Sequence, residues 1–99
     1  MVTKEYIIKT LVQNAGILRD YHIRRIGVFG SYVKGNPTEK SDIDLLVDFS
    51  ETIDLFSYAN LSNTISDIFK TEVDLVEIGG VKSAIKDKIM NEVEWIEGI

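Results

Sequence analysis

The chain contains no cysteine, which excludes a disulfide framework and any thiolate metal centre. It contains one histidine, His22, too few for a His-rich zinc site. Its single proline, Pro37, lies within a Gly- and Asn-containing stretch that reads as turn and loop. No apolar run approaches the ~20 residues needed to span a bilayer. The first ten residues carry Glu5 and no cleavage pattern of small residues, so no signal peptide is expected and the cytoplasm is the expected compartment. An excess of positive charge is also missing. The net charge is −5, and a field of that sign repels phosphate, so direct nucleic-acid binding is not expected.

What is present is an ordinary globular composition, 44% hydrophobic and 27% charged over 99 residues. That length predicts one domain over residues 1–99 with one modest core, burying ~60–65% of the unfolded surface. The charge is uneven. Residues 1–40 carry seven Lys/Arg against three Asp/Glu, and residues 41–99 carry four against thirteen. The acidic half has two readings, a solvated helix surface or a set of carboxylates that holds metal.

Hydrophobic spacing predicts the order α-β-β-α-β-α. Ile7, Ile8, Leu11, Ala15 and Leu18 predict a helix over residues 3–20. Residues 24–29 form a short strand ending at Gly30, and residues 30–42 form a loop with at most one helical turn. Residues 43–49 form a strand with one apolar face of Ile43, Leu45, Val47 and Phe49. Asp42, Asp44, Leu46 and Asp48 fall on the other face. A helix over 52–69, a strand over 72–77 and a last helix over 81–97 complete the chain, with Trp95 and Ile96 on that helix. A short link makes the first two strands antiparallel, and a helical crossover makes the second and third parallel. The expected fold is α+β, a two-layer structure with a small mixed sheet packed by helices.

Three features carry chemistry. Gly30-Ser31 closes a strand and opens a turn, where backbone N–H groups and a hydroxyl can cradle phosphate. Asp42 and Asp44 fall on one face by the period of two, and two like charges so placed repel unless a cation lies between them. Hard carboxylate oxygens of this kind suit Mg²⁺. Asp74, in the third strand, comes beside them if the second and third strands are parallel neighbours. Against each stands a plainer reading: a turn, a solvent-exposed sheet face and an ordinary exposed strand residue. Other motifs fail. Asn36-Pro37 stands where a Walker A loop needs Lys-Ser/Thr, and no G-x-G-x-x-G occurs. His22 reads as a surface residue, and Arg24-Arg25 as a surface or partner contact too far from Gly30 to serve its site.

The spacing Gly30-Ser31, ten residues, Asp42-Ile43-Asp44 resembles the signature of the polymerase-beta-like nucleotidyltransferase superfamily. A chance match in a chain of this length is about one in a thousand. The wider run over residues 30–49 resembles the minimal nucleotidyltransferases, whose Ser-x-Ala-Arg-Gly loop here reads Ser31-Tyr32-Val33-Lys34-Gly35. Lys34 keeps the charge of the usual Arg without its bidentate fork. The Ser41-Asp42-Ile43-Asp44-Leu45 block is intact.

The resemblance implies transfer of a nucleoside monophosphate, AMP from ATP, to an acceptor hydroxyl. Asp42, Asp44 and Asp74 become the catalytic and metal-binding residues for two Mg²⁺ ions, and Gly30, Ser31 and Lys34 the nucleotide-binding residues. About 20 residues follow the third strand, little from which to build an acceptor pocket, so a partner protein is expected to bring the acceptor. Minimal nucleotidyltransferases resemble the antitoxin half of pairs whose toxin is a HEPN-domain protein. The alternative is a non-catalytic antitoxin that inhibits its partner by occlusion, and a weaker third reading is a Mg²⁺-dependent phosphohydrolase. Apolar residues on the last two helices also leave a homo-oligomer open.

Overall fold

In the computed structural model, residues 2–35, 42–97 and 99 are described. Ser41 of the motif block and the Asn36-Pro37 turn lie outside them. Thr3 caps the first helix, α1 (Lys4–Gln13), its hydroxyl accepting the Tyr6 N–H at 3.1 Å. Asn14 interrupts the expected long helix by returning its side-chain amide to the Thr10 carbonyl, and α2 (Ala15–Asp20) follows. Strand β1 (Ile23–Phe29), the short α3 (Ser31–Lys34) and strand β2 (Ile43–Phe49) come next. Asp54 caps α4 (Leu55–Phe69), accepting the Ser57 N–H at 2.8 Å. This hydrogen bond, with that of the Ser57 hydroxyl, lowers the Asp54 carboxyl below its usual value. Strand β3 (Val73–Glu77) leads through a 3₁₀ turn at Ile78–Gly80 into α5 (Ser83–Glu92).

The sheet order is β3-β2-β1-β4, with β1 antiparallel to β2 and β2 parallel to β3, as the connections require. β4 (Glu94–Trp95) corrects the expected helix over 81–97. The helix stops at Glu92, and Trp95 pairs with Gly27 on β1 instead of continuing a helical stripe. The reason is at Gly27. A Cβ there would lie 2.6 Å from Val93 Cγ2 and 3.1 Å from Trp95 Cε3, so the missing side chain is what lets the last strand close on β1. Ile96, expected on the helix, instead donates its N–H to the Ile26 carbonyl and is buried.

One face of the sheet carries Ile26, Val28, Ile43, Leu45, Val47, Val73 and Leu75, packed with Ile7, Leu11, Leu18, Leu61 and Ile65 of the helices. The opposite face is not the solvated surface that alternation suggests. Leu46, aligned with Gly27, is fully buried. Asp48 is also buried, its Oδ2 held by Arg24 at 2.9 Å and Arg25 at 3.3 Å. The register slips between Ile23 and Arg25, which turns two consecutive arginines toward one carboxylate. Arg25 also lies 4.0 Å above the Trp95 ring. The arginine pair is therefore engaged within the chain.

α4 ends on Lys70, an exposed residue held at φ 56°. A side chain in this left-handed region is strained, whereas glycine is not. Lys70→Gly is expected to stabilise the fold by about 0.5–1 kcal/mol, a rise of about 4 °C in Tm, read by calorimetric melting.

Candidate active site

The unlike face of the sheet ends in a row of three register partners: Phe29 at the end of β1, Asp44 near the start of β2 and Asp74 near the start of β3. The antiparallel-then-parallel topology creates this row. It brings the C-terminal end of β1, where the chain turns through Gly30 and Ser31, against the N-terminal ends of two strands that each carry an aspartate. Asp42 lies one residue before β2 and is exposed, as is Asp74. Asp44 is half-buried between them.

Gly30 shapes the corner. It has φ 77° and ψ −150°, a conformation reserved in practice for glycine. A Cβ at Gly30 would overlap Asp44 Oδ2 and stand 3.0 Å from Asp44 Cγ. The backbone turn and the carboxylate are thus in direct apposition. Ser31 begins α3 immediately after this turn.

The electrostatics of the row are unfavourable in one direction. Burial pushes the Asp44 carboxyl above its usual value, and the negative charges of Asp74, Asp42 and Glu92 push it further, with Lys34 opposing. The protein therefore maintains a concentration of carboxylate charge that it does not neutralise fully. Hard oxygen donors under mutual repulsion fit a divalent cation such as Mg²⁺. Among the described residues, no three Asp, Glu or His side chains are gathered as tightly as a metal cluster requires. The expected convergence of Asp42, Asp44 and Asp74 is thus one of neighbouring positions, not of closed ligand geometry.

Lys34 is half-exposed, its Nζ 3.5 Å from Glu92 Oε2. Glu92 also accepts the Gly30 N–H through Oε1 at 3.1 Å. This glutamate was not among the residues singled out by sequence. It stands near the end of what reads as a continuous amphipathic helix, where an acidic residue is ordinarily solvated surface. Its position depends on the chain reversing into β4 directly after α5.

Beside the row lies an open cavity of about 470 Å³ with Asp74 in its wall, lined mainly by Phe29, Val76, Val81, Ile85 and Ile89. His22 and Arg24-Arg25 take no part in the row. His22 is exposed, its Nδ1 3.0 Å from Glu51 Oε1.

The mixed sheet presents a Gly-Ser turn against aspartates on the next two strands, the arrangement that the resemblance noted in the sequence implies for nucleotidyl transfer. The chain belongs to the polymerase beta nucleotidyltransferase family, whose model matches residues 6–97. It is 38% identical over 97 residues to the protein adenylyltransferase MntA of Thermococcus cleftensis, covering 97% of this chain and 98% of that protein. MntA of Shewanella oneidensis, also named a protein adenylyltransferase, is 26% identical over 84 residues, which cover 83% of this chain and 60% of that protein.

Among solved structures, the fold matches a toxin–antitoxin crystal structure with AMP-PNP. The TM-score is 0.76 at 23% identity, over 93% of this chain and 73% of that one. It also matches a complex of a tri-AMPylated Shewanella oneidensis HEPN toxin with its MNT antitoxin. There the TM-score is 0.69 at 21% identity, over 94% of this chain and 73% of that one. The chain is a nucleotidyltransferase, and its fold matches a solved minimal nucleotidyltransferase with a TM-score of 0.74 at 27% identity, over 88% of this chain and 93% of that one. Among its described residues, no helix is long and apolar enough to cross a membrane.

Proposed function

We propose that this nucleotidyltransferase moves AMP from ATP to a hydroxyl on a HEPN-domain partner protein, as the antitoxin of a two-component pair. The observation that carries the reading is the Asp44–Asp74 register pair beside the Gly30 turn. The names of the MntA relatives support the choice of adenylyl group and of a protein acceptor.

In this reading Asp42, Asp44 and Asp74 would hold the two Mg²⁺ ions. When bound, such ions would neutralise the charge of the triphosphate and of the departing pyrophosphate. Gly30 and Ser31 position the terminal phosphates by N–H and hydroxyl donation, and Lys34 adds a positive charge. Asp74 accepts the proton of the acceptor hydroxyl at a carboxylate oxygen. The acceptor oxygen bonds to the α-phosphorus as the bond to the bridging oxygen breaks, and pyrophosphate departs. Most of the rate comes from in-line positioning and a prearranged field.

The occlusion alternative is disfavoured by Asp44. A module that only binds has no use for a carboxylate raised by burial and by three neighbouring acids, and such a charge costs stability. Leu55 and Phe56, the most exposed of several exposed apolar side chains, offer a partner apolar surface at the start of α4.

The test is direct. Purified chain, Mg²⁺ and ATP labelled in the α-phosphate are incubated with a HEPN-domain protein from the same organism. Label should pass to that protein and pyrophosphate should appear. A partner that is bound and silenced without label would overturn the enzymatic reading and favour occlusion.

A further inference from the structure

Glu92 is the last residue of α5, a helix with no buried side chain. Its own side chain is nonetheless only 19% exposed. Oε1 accepts the Gly30 N–H at 3.1 Å, and Oε2 lies 3.5 Å from Lys34 Nζ. Two of the groups assigned above to the nucleotide phosphates are therefore already engaged by an anion, and the anion belongs to the protein.

A carboxylate and a phosphate oxygen satisfy an N–H and an ammonium by the same chemistry. A single N–H cannot donate at full strength to both. Glu92 also faces a neighbourhood that repels it, since its charge is one of those raising Asp44. The contact satisfies the Gly30 donor at the expense of acidic crowding. α5 can release it at modest cost, because no residue of the helix is fully buried and Ile85 on it is half exposed.

We infer that Glu92 is a surrogate anion that the nucleotide must displace, and so a determinant of which nucleotide species the site admits. The inference rests on the nucleotide reading proposed above. A triphosphate arriving with its cations carries enough charge compensation to replace Glu92 on Gly30 and Lys34. Metal-free ATP adds four negative charges to the acidic row and must also expel a resident carboxylate. AMP brings one phosphate and gains less from the exchange. Glu92 thereby tilts selection toward the metal-complexed triphosphate.

Titration calorimetry on the full chain tests this, with ATP and AMP each added in Mg²⁺ and in EDTA, for the wild type, E92Q and E92A. The expected result is that both variants bind metal-free ATP about tenfold more tightly than the wild type, the scale of one charged contact removed. The ratio of metal-bound to metal-free affinity should shrink by the same factor. A Glu92 that merely supported the fold would instead lose affinity when replaced.

The Gly30 amide resonance provides a second readout. It should move upfield in E92A without ligand, where the N–H has lost its acceptor, and return downfield when MgATP is added to that variant, as a phosphate oxygen takes the place of the carboxylate. If wild type binds MgATP while both variants bind metal-free ATP equally or more weakly than it does, Glu92 is not displaced and the inference fails with the nucleotide reading intact. If neither wild type nor variants bind MgATP, the nucleotide reading fails and takes this inference with it.

Discussion

Asp44→Asn is expected to lower nucleotidyl transfer about a thousandfold or more while making the metal-free fold more stable. The two effects have one origin. Asp44 stands between Asp42, Asp74 and Glu92, and both burial and those charges raise its carboxyl above the ordinary value of 3.8. The ionised form is thus disfavoured in the folded chain relative to the unfolded one. A raised acid destabilises the fold above its folded-state value, and the cost disappears as pH falls below its unfolded value.

The asparagine variant removes that cost. Its advantage over wild type in EDTA should be present at pH 7, shrink as pH falls through the raised value, and vanish below about 3.8. Thermal melts across pH read the stability, and transfer to the partner reads the activity. The loss of activity is large because an amide supplies neither the charge nor the oxygen pair of a carboxylate to a hard cation. An Asp44→Asn protein that melted earlier than wild type at pH 7 would show that the carboxylate holds the structure together, and near-normal transfer would remove it from the site.

The second large effect is expected at Gly30. Its φ of 77° and ψ of −150° cost a side-chain-bearing residue about 1–3 kcal/mol. The Cβ of alanine would in addition overlap Asp44 Oδ2. Gly30→Ala should therefore lower Tm by about 10–20 °C and abolish transfer even below the melting range, because relief of the clash moves Asp44. Gly35 is the internal comparison. It also has positive φ, 82°, but among the described residues nothing lies within 4 Å of an added Cβ. Gly35→Ala should show the conformational cost alone, about 1 kcal/mol, with transfer less affected. Equal losses of transfer in the two variants would mean that the apposition of Gly30 and Asp44 is not what matters.

Much of this arrangement was legible in advance for identifiable reasons. The strand at residues 43–49 announces itself by alternation, and alternation alone puts Asp44 on the face away from the core. The parallel pairing with β3 follows from an intervening helix, and it predicts the neighbour relation that the register gives between Asp44 and Asp74. Alternation misleads at Leu46 and Asp48, because period-two spacing says which face a residue is on and not whether something covers that face. Val93 and Trp95, packed at Gly27, border the face near Leu46, and Arg24 with Arg25 covers Asp48. At residues 81–97, Val93 and Ile96 fit the helical stripe begun by Val81, Ile85 and Ile89, so spacing alone favours a helix to the end.

The sequence by itself determined the order of the first three strands and the helix between the second and third, the parallel and antiparallel links among those strands, and the Gly-Ser and Asp-x-Asp elements of the site. These depend on local spacing and connection length, which are written along the chain. Only the tertiary structure decided that α5 stops at Glu92, that β4 closes on Gly27, and that the Glu92 carboxylate sits on Gly30 and Lys34. Those outcomes turn on two contacts between distant segments: Gly30 with Glu92, 62 positions apart, and Gly27 with the last strand, where a missing Cβ leaves room for it. No local periodicity encodes such a contact, because it is a property of the assembled surface and not of either segment alone.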